Sequence, residues 1–129
     1  DMAEAGLVTI GAHTHTHPVL TGQPERRIRA ELARPVELIQ SRLGLTAAHF
    51  AYPKARWDHT VEALVKEYYR SAVICQETMA RPKRSDPYRI PRIPIRRSDG
   101  WYFFLAKIRS RLEGEEALYD RLRQLSGRG

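Results

Sequence analysis

The sequence holds a single cysteine, Cys75, so no internal disulfide forms and cysteine usage leaves the redox compartment unassigned. Set in a strand-like apolar run, that thiol reads as inert packing rather than as a nucleophile. Long hydrophobic stretches are missing too. The apolar runs last only a few residues, far short of the roughly 20 that span a bilayer. The opening residues Asp1-Met2-Ala3-Glu4-Ala5-Gly6 lack the basic and apolar regions of a signal peptide, and Asp1 suggests that the true start lies upstream. There is no internal repeat, low-complexity tract or linker. Acidic residues are in deficit, 15 against 22 Lys and Arg, for a formal charge of +7 that would assist binding to a polyanion. The basic residues Arg26-Arg27, Arg81 to Arg84 and Arg96-Arg97 are dispersed, with no nucleic-acid motif or interleaved aromatics. That charge is read as solvated surface, and no specific nucleic-acid partner is expected.

What is present is a 129-residue chain, 42% hydrophobic and 29% charged, the composition of one soluble globular domain or part of one. Its chemistry is concentrated in Gly11-Ala12-His13-Thr14-His15-Thr16-His17-Pro18, which holds three of the five histidines. Imidazole is the commonest protein ligand for zinc-like metals, and a hydrolytic site needs about three protein ligands plus an open position. The backbone decides which two histidines cooperate. In an extended strand, a rise of roughly 3.3 Å per residue separates His13 from His17 by about 13 Å and leaves His13 and His15 about 6.6 Å apart on one face. If the chain coils after His13, positions four apart meet instead. Gly11 before the cluster and Pro18 after it favour a strand that ends and turns, and therefore the pair His13 and His17.

Along the chain, strand and helix signals alternate. Ala3 to Gly6 reads as a last helical turn closed by glycine, and Leu7 to Ala12 as a short strand that delivers the histidines. A helix starts at Thr21 to Pro24, carries its apolar face on Ile28, Leu32, Val36, Ile39 and Leu43, and ends at Gly44, with a kink expected at Pro35. Strand Ala47 to Ala51 runs into the proline-containing loop Tyr52 to Trp57. Asp58 caps a helix whose apolar face is Val61, Leu64, Val65 and Tyr68. Arg70 to Cys75 is a third strand, Met79 to Pro87 a basic loop, and Tyr88 to Ile95 an edge strand or extended segment because of its prolines. Helices are expected at Tyr102 to Leu112 and Glu115 to Leu125. Such alternation indicates a parallel sheet covered by helices, with ligands at the C-terminal strand ends, where both the histidines and the Tyr52-Pro53 loop lie.

These residues resemble the polysaccharide deacetylases that share the NodB-homology domain, over about Met2 to Ile95. Ile10 to Pro18 is similar to that family's H-[ST]-x-x-H-P metal motif, and Phe50-Ala51-Tyr52-Pro53-Lys54-Ala55 to its F-A-Y-P-Y-G loop. Tyr69 to Val73 and Pro87 to Pro94 also look like family segments. The resemblance implies an α/β fold, part of a distorted (β/α) barrel with N-terminal strand or strands missing, and residues 1–129 as one partial deacetylase domain. It implies a metal-dependent hydrolase that removes acetyl groups from N- or O-acetylated polysaccharide, with a metal-bound water as nucleophile. His13 and His17 would bind the divalent metal, zinc foremost, with cobalt or nickel as alternatives. The backbone amide of Lys54 would assist the oxyanion, and Tyr52, Pro53 and Trp57 would help line the sugar groove. A cell-envelope or extracellular setting goes with that family.

The sequence departs from the pattern in four places. The T-F-D-D motif, which supplies a third metal ligand and the general base, is absent. Ala51 stands where many relatives have arginine, Ala55 replaces the loop glycine, and no L-x-H motif supplies an acid histidine. On these grounds the chain alone is expected to be incomplete and inactive. Two other classes compete: a catalytically degenerate domain that binds glycan or another polyanion, and another metallohydrolase with an H-x-H motif. A metallo-β-lactamase-like H-x-H-x-D-H would place Asp at His17 and His at Pro18. A binuclear amidohydrolase would need further histidines at later strand ends, where only His49 and His59 are available.

Overall fold

The computed structural model describes residues 5–75 and 86–108, and these fall into two compact units. The first comprises Asp1–Cys75 with Arg84–Ile90, the second Gln76–Lys83 with Pro91–Gly129.

In the first unit, helix α1 (Glu25–Leu43) follows Pro24, with Glu25 in the first turn and Arg42 in the last, each at the end of the helix dipole that its charge complements. The i, i+4 spacing puts Ile28 and Leu32 fully inside, with Val36 and Ile39 packed partly against them. The helix continues through Pro35, which is buried on this face; burial of its ring offsets part of the cost of the missing amide. Gly44 ends the helix at φ 66° and returns its N–H to the Gln40 carbonyl, as a left-handed C-cap requires.

Strand β1 (His49–Ala51) pairs in parallel with β2 (Ser71–Cys75), with Phe50 opposite Ala72. Between them, the turn Pro53–Ala55 leads to α2 (His59–Tyr68), where the Asp58 carboxylate accepts the Val61 amide at 2.8 Å, the expected N-cap. Val61, Leu64 and Val65 of α2 join Ile28, Leu32, Phe50, Tyr52, Tyr69, Ala72 and Ile74 in one core. Phe50 stacks on Tyr69 at 5.0 Å and meets Tyr52 edge-on at 5.3 Å. The Tyr69 hydroxyl donates to the Leu32 carbonyl at 2.6 Å, tying the end of α2 to α1. At the surface, Arg29 of α1 forks onto Glu67 of α2 at 2.6 and 3.0 Å.

The sheet order is β1-β2-β3, with β3 (Ile90–Arg92) starting at the last residue of the first unit. The described residues thus form an open three-stranded sheet rather than a closed barrel. The strand expected at Leu7 to Ala12 is also absent: Leu7 to Gly11 is irregular, and Ala12 alone makes an isolated parallel bridge to Phe50. Leu7 is 78% exposed and has no second strand among the described residues to hold it extended. Strand β1 is shorter than the expected Ala47 to Ala51, because sheet pairing covers only His49 to Ala51.

In the second unit, the turn Arg97–Asp99 precedes α3 (Gly100–Ile108). The buried Asp99 carboxylate accepts the Arg96 amide at 2.6 Å and the Lys107 ammonium at 2.8 Å, and Lys107 also donates to the Pro94 carbonyl. No described helix is long and apolar enough to cross a membrane. Most of the expected basic loop, the end of the first C-terminal helix and the whole second one lie outside the described residues.

Candidate functional site

The histidine segment leaves the sheet beside β1, and its first residues are fixed by close backbone approach. A Cβ on Gly11 would stand 3.1 Å from the His49 carbonyl oxygen, tighter than ordinary contact, so glycine lets the chain lie against β1. Ala12 then donates to the His49 carbonyl at 2.8 Å and accepts from the Ala51 amide at 2.9 Å. Past that bridge the chain folds back. Thr14 and His17 take left-handed φ values of 64° and 61°, unusual for residues that carry a Cβ. The Thr14 hydroxyl donates to the His13 carbonyl at 2.6 Å and accepts the His17 amide at 3.0 Å, closing the turn from within.

That turn brings the Nε2 atoms of His13 and His17 to 3.1 Å, with ring centroids 4.8 Å apart. His13 Nδ1 lies 2.6 Å from the Ala51 carbonyl oxygen, which can only accept, so Nδ1 carries the proton and Nε2 presents a lone pair. Two imidazole nitrogens bound tetrahedrally to one zinc at the usual bond length would stand about 3.3 Å apart, so this pair has the separation of two ligands of one ion. The His13 and His15 pairing of an H-x-H site is not what the turn makes. The His15 ring is exposed, and its backbone amide is committed elsewhere.

Its acceptor is Glu31, a carboxylate on the core side of α1 that is only 8% exposed. Glu31 Oε2 accepts the amides of His15 and Thr16 at 2.9 and 2.8 Å, and Oε1 accepts the Thr16 hydroxyl at 2.6 Å. Burial pushes this carboxyl up, but the hydrogen bonds from Thr16 and His15 outweigh it and hold Glu31 below the ordinary carboxylate value.

The second expected segment is the turn Pro53–Ala55. Lys54 and Ala55 both have positive φ, 54° and 57°, so the position where the resembled motif has glycine keeps a glycine-like backbone while carrying a methyl group. The amides of Ala55 and Arg56 close the turn on the carbonyls of Tyr52 and Pro53, and Lys54 between them is exposed. Tyr52 and Pro53, expected along the sugar groove, are both fully buried. Burial pushes the Tyr52 hydroxyl well above its usual range, with Glu62 adding to the effect. Trp57 is half-buried, with the Arg89 guanidinium 4.4 Å above its ring and His59 edge-on at 5.8 Å. His49 turns to the Ser71 hydroxyl, and His59 lies near Arg89; neither is grouped with the His13 and His17 pair. Among the described residues, no set of three or more His, Cys, Asp or Glu side chains converges on one point.

A family model described as polysaccharide deacetylase matches residues 1–73. The chain belongs to the polysaccharide deacetylase family. No curated protein matches it by sequence. Among solved structures, this chain is similar to BC0361, a polysaccharide deacetylase from Bacillus cereus, at 22% identity and a TM-score of 0.70, covering 83% of this chain and 34% of that one. BA0330 from Bacillus anthracis gives 22% identity and 0.72 over 83% of this chain and 34% of that one. IcaB from Ammonifex degensii gives 21% and 0.67 over 86% of this chain and 50% of that one. The likeness is one of α/β fold, and this chain spans between a third and a half of these structures.

Reading the sequence for metal ligands singled out His13 and His17 but passed over Glu31 and Glu62. A signal existed for the first. Glu31 follows Ile28 by three and precedes Leu32, so it sits within the apolar stripe of α1, where an unpaired carboxylate is costly. What it binds, 15 and 16 residues back in the chain, had no sequence signal.

Proposed function

We propose that this deacetylase chain is part of a metal-dependent hydrolase that removes acetyl groups from N- or O-acetylated polysaccharide. The observation that supports it most is the His13 and His17 pair, whose Nε2 atoms stand 3.1 Å apart while the Ala51 carbonyl holds the His13 tautomer. The residues fit a divalent ion as a partial ligand set. His13 and His17 would hold it, zinc foremost and cobalt or nickel as alternatives. A bound ion would polarise the acetyl carbonyl and acidify the attacking water.

This chain's own residues would do the rest of the local work. The Ala51 carbonyl orients the His13 ring, as outer partners of metal-bound imidazoles do. The backbone amide of Lys54, an exposed residue at positive φ, would donate to the developing oxyanion. Trp57, half-buried beside Arg89, would help line the sugar groove. A third ligand and a general base would come from an aspartate pair upstream of these residues. There the N-terminal part of a distorted (β/α) barrel would complete one domain with residues 1–129. An acetylated polysaccharide partner and a cell-envelope or extracellular setting belong to the same reading.

The experiment is acetate release from acetylated chitooligosaccharides and acetylxylan with added zinc or cobalt, comparing this chain with one extended upstream to an aspartate pair. The extended chain turns over. The short chain loses at least the roughly 10²- to 10⁴-fold contribution of a positioned base. Equal turnover by both would place the catalytic carboxylate within these residues and overturn the assignment of the base. A second reading, a domain that binds acetylated glycan without turnover, draws on the convergence of only two ligands among the described residues. Zinc and glycan binding by the extended chain without acetate release would favour it.

A further inference from the structure

The histidine turn is unusual in what holds it. Two residues with a Cβ, Thr14 and His17, sit at left-handed φ, a conformation that persists only where the surroundings over-determine it. The internal tie through the Thr14 hydroxyl spans His13 to His17. Three further ties, from the residues between the two histidines, go to one side chain on another element. We propose that Glu31 is the positioning residue of the His13 and His17 pair, an inference that rests on the metal-site reading above.

The geometry has three parts. First, the donors that Glu31 captures are the amides of His15 and Thr16 and the hydroxyl of Thr16, at the middle of the turn between the two paired histidines. Two successive backbone amides aimed at one oxygen form a small anion-binding concavity, which the carboxylate fills from α1. Second, Glu31 is buried beside Ile28 and Leu32, so its reach is fixed by the packing of α1 rather than by a free side chain in water. Third, a turn released from this grip is free to relax towards the extended chain, in which positions 13 and 17 stand up to about 13 Å apart and share no ion. Glu31 touches neither imidazole. It acts through the backbone, setting where His17 returns.

The role also distinguishes carboxylate from amide and methyl. A glutamine keeps an oxygen for the two amides and turns its NH₂ towards the Thr16 hydroxyl, which can accept, so all three bonds survive in neutral form. Alanine keeps none.

The test uses the 129-residue chain, with zinc and cobalt titrations by calorimetry and amide hydrogen exchange on the metal-free protein. Glu31→Ala should weaken zinc binding about 10- to 100-fold, the range for a supporting partner of a metal site. It should also raise exchange at His15 and Thr16 to the rate of an open loop. Glu31→Gln should recover most of both. His13→Ala serves as the reference for the histidine reading. If it abolishes zinc binding while Glu31→Ala leaves affinity unchanged, Glu31 does not position the pair and the inference is overturned. If His13→Ala binds as the unmutated chain does, the metal reading has failed; unchanged exchange in Glu31→Ala then removes the positioning role as well, and accelerated exchange keeps its hold on the turn. Should Glu31→Ala not fold, Thr16→Val removes one bond to the carboxylate and is expected to weaken zinc binding about three- to tenfold; no change there overturns the inference too.

Discussion

Glu31 and Glu62 make an instructive pair. Each is a buried carboxylate on a core-facing helix, 8% and 3% exposed, and each is held below the ordinary carboxylate value. Glu31 spends its oxygens on backbone amides and a hydroxyl of an adjoining turn. Glu62 spends its own on cations, Lys66 one helical turn away at 2.6 Å and Arg89 at 2.5 Å, with Arg89 lying on Trp57. A carboxylate that takes amides dictates backbone shape, because the donors cannot move without the chain. One that takes long, flexible cations tethers a segment to a helix and leaves its backbone free to adjust. The first kind of contact builds a site, and the second fastens a fold.

The sharpest way to break that contrast is to remove the proposed ligands themselves. His13→Ala and His17→Ala should each reduce zinc affinity well beyond the roughly 10- to 100-fold that a supporting group carries. His15→Ala, whose exposed ring belongs to neither contact, should stay within about twofold of the unmutated chain, since its backbone amide is kept. Calorimetric titration reads all three, and equal affinity for His17→Ala and the unmutated chain would dissolve the site.

Next in size is Glu62→Ala. It should lower stability by about 1–3 kcal/mol in urea denaturation, within the range for disrupting a buried charge network, and leave zinc affinity alone. A drop in zinc affinity matching that of Glu31→Ala would erase the distinction between the two carboxylates.

A pH series sharpens it further. The side-chain hydrogen bond from Arg89 holds the Glu62 carboxyl down to about 2, below its ordinary value of 4.5. The contribution to stability is therefore fully present above about 4.5 and lost as pH falls through about 2. Screening by water around the partly exposed Arg89 and Lys66 reduces it to about 1–2 kcal/mol. Denaturation midpoints between pH 7 and 2 should fall further for the unmutated chain than for Glu62→Gln, and parallel curves would show that the ion pair contributes nothing.

The smallest effect is expected at the turn Pro53–Ala55. Ala55 carries a Cβ at φ 57°, so Ala55→Gly relieves left-handed strain while adding freedom to the unfolded chain, for a net gain of about 0.5–1 kcal/mol. Thermal unfolding measures it, and a loss of stability would mean that the methyl group packs usefully where it stands.

Much of the fold was legible because it depends on neighbours in the chain. The Asp58 cap, the left-handed Gly44 and the stripe from Ile28 as far as Ile39 follow from spacing and side-chain chemistry, while Leu43, expected to end that stripe, is exposed. The Leu7 to Ala12 strand was misread because a short apolar run does not supply a pairing partner. The burial of Tyr52 was not legible, because an aromatic residue beside a loop looks the same in sequence whether its ring faces solvent or, as here, packs on Phe50. Glu62 gave even less warning, since Arg89 lies 27 residues further on.

By itself, the sequence determined the chemical inventory: three imidazoles at alternate positions, a glycine able to lie against β1, a capped helix on either side of the sheet strand, and one proline-containing turn. Spacing alone left His13 free to pair with His15 or with His17, because the same residues span about 13 Å when extended and meet when folded back. Tertiary structure made that choice. Left-handed backbone at Thr14 and His17 is unfavourable locally, so it exists only where a carboxylate buried in a distant helix gathers the amides between them.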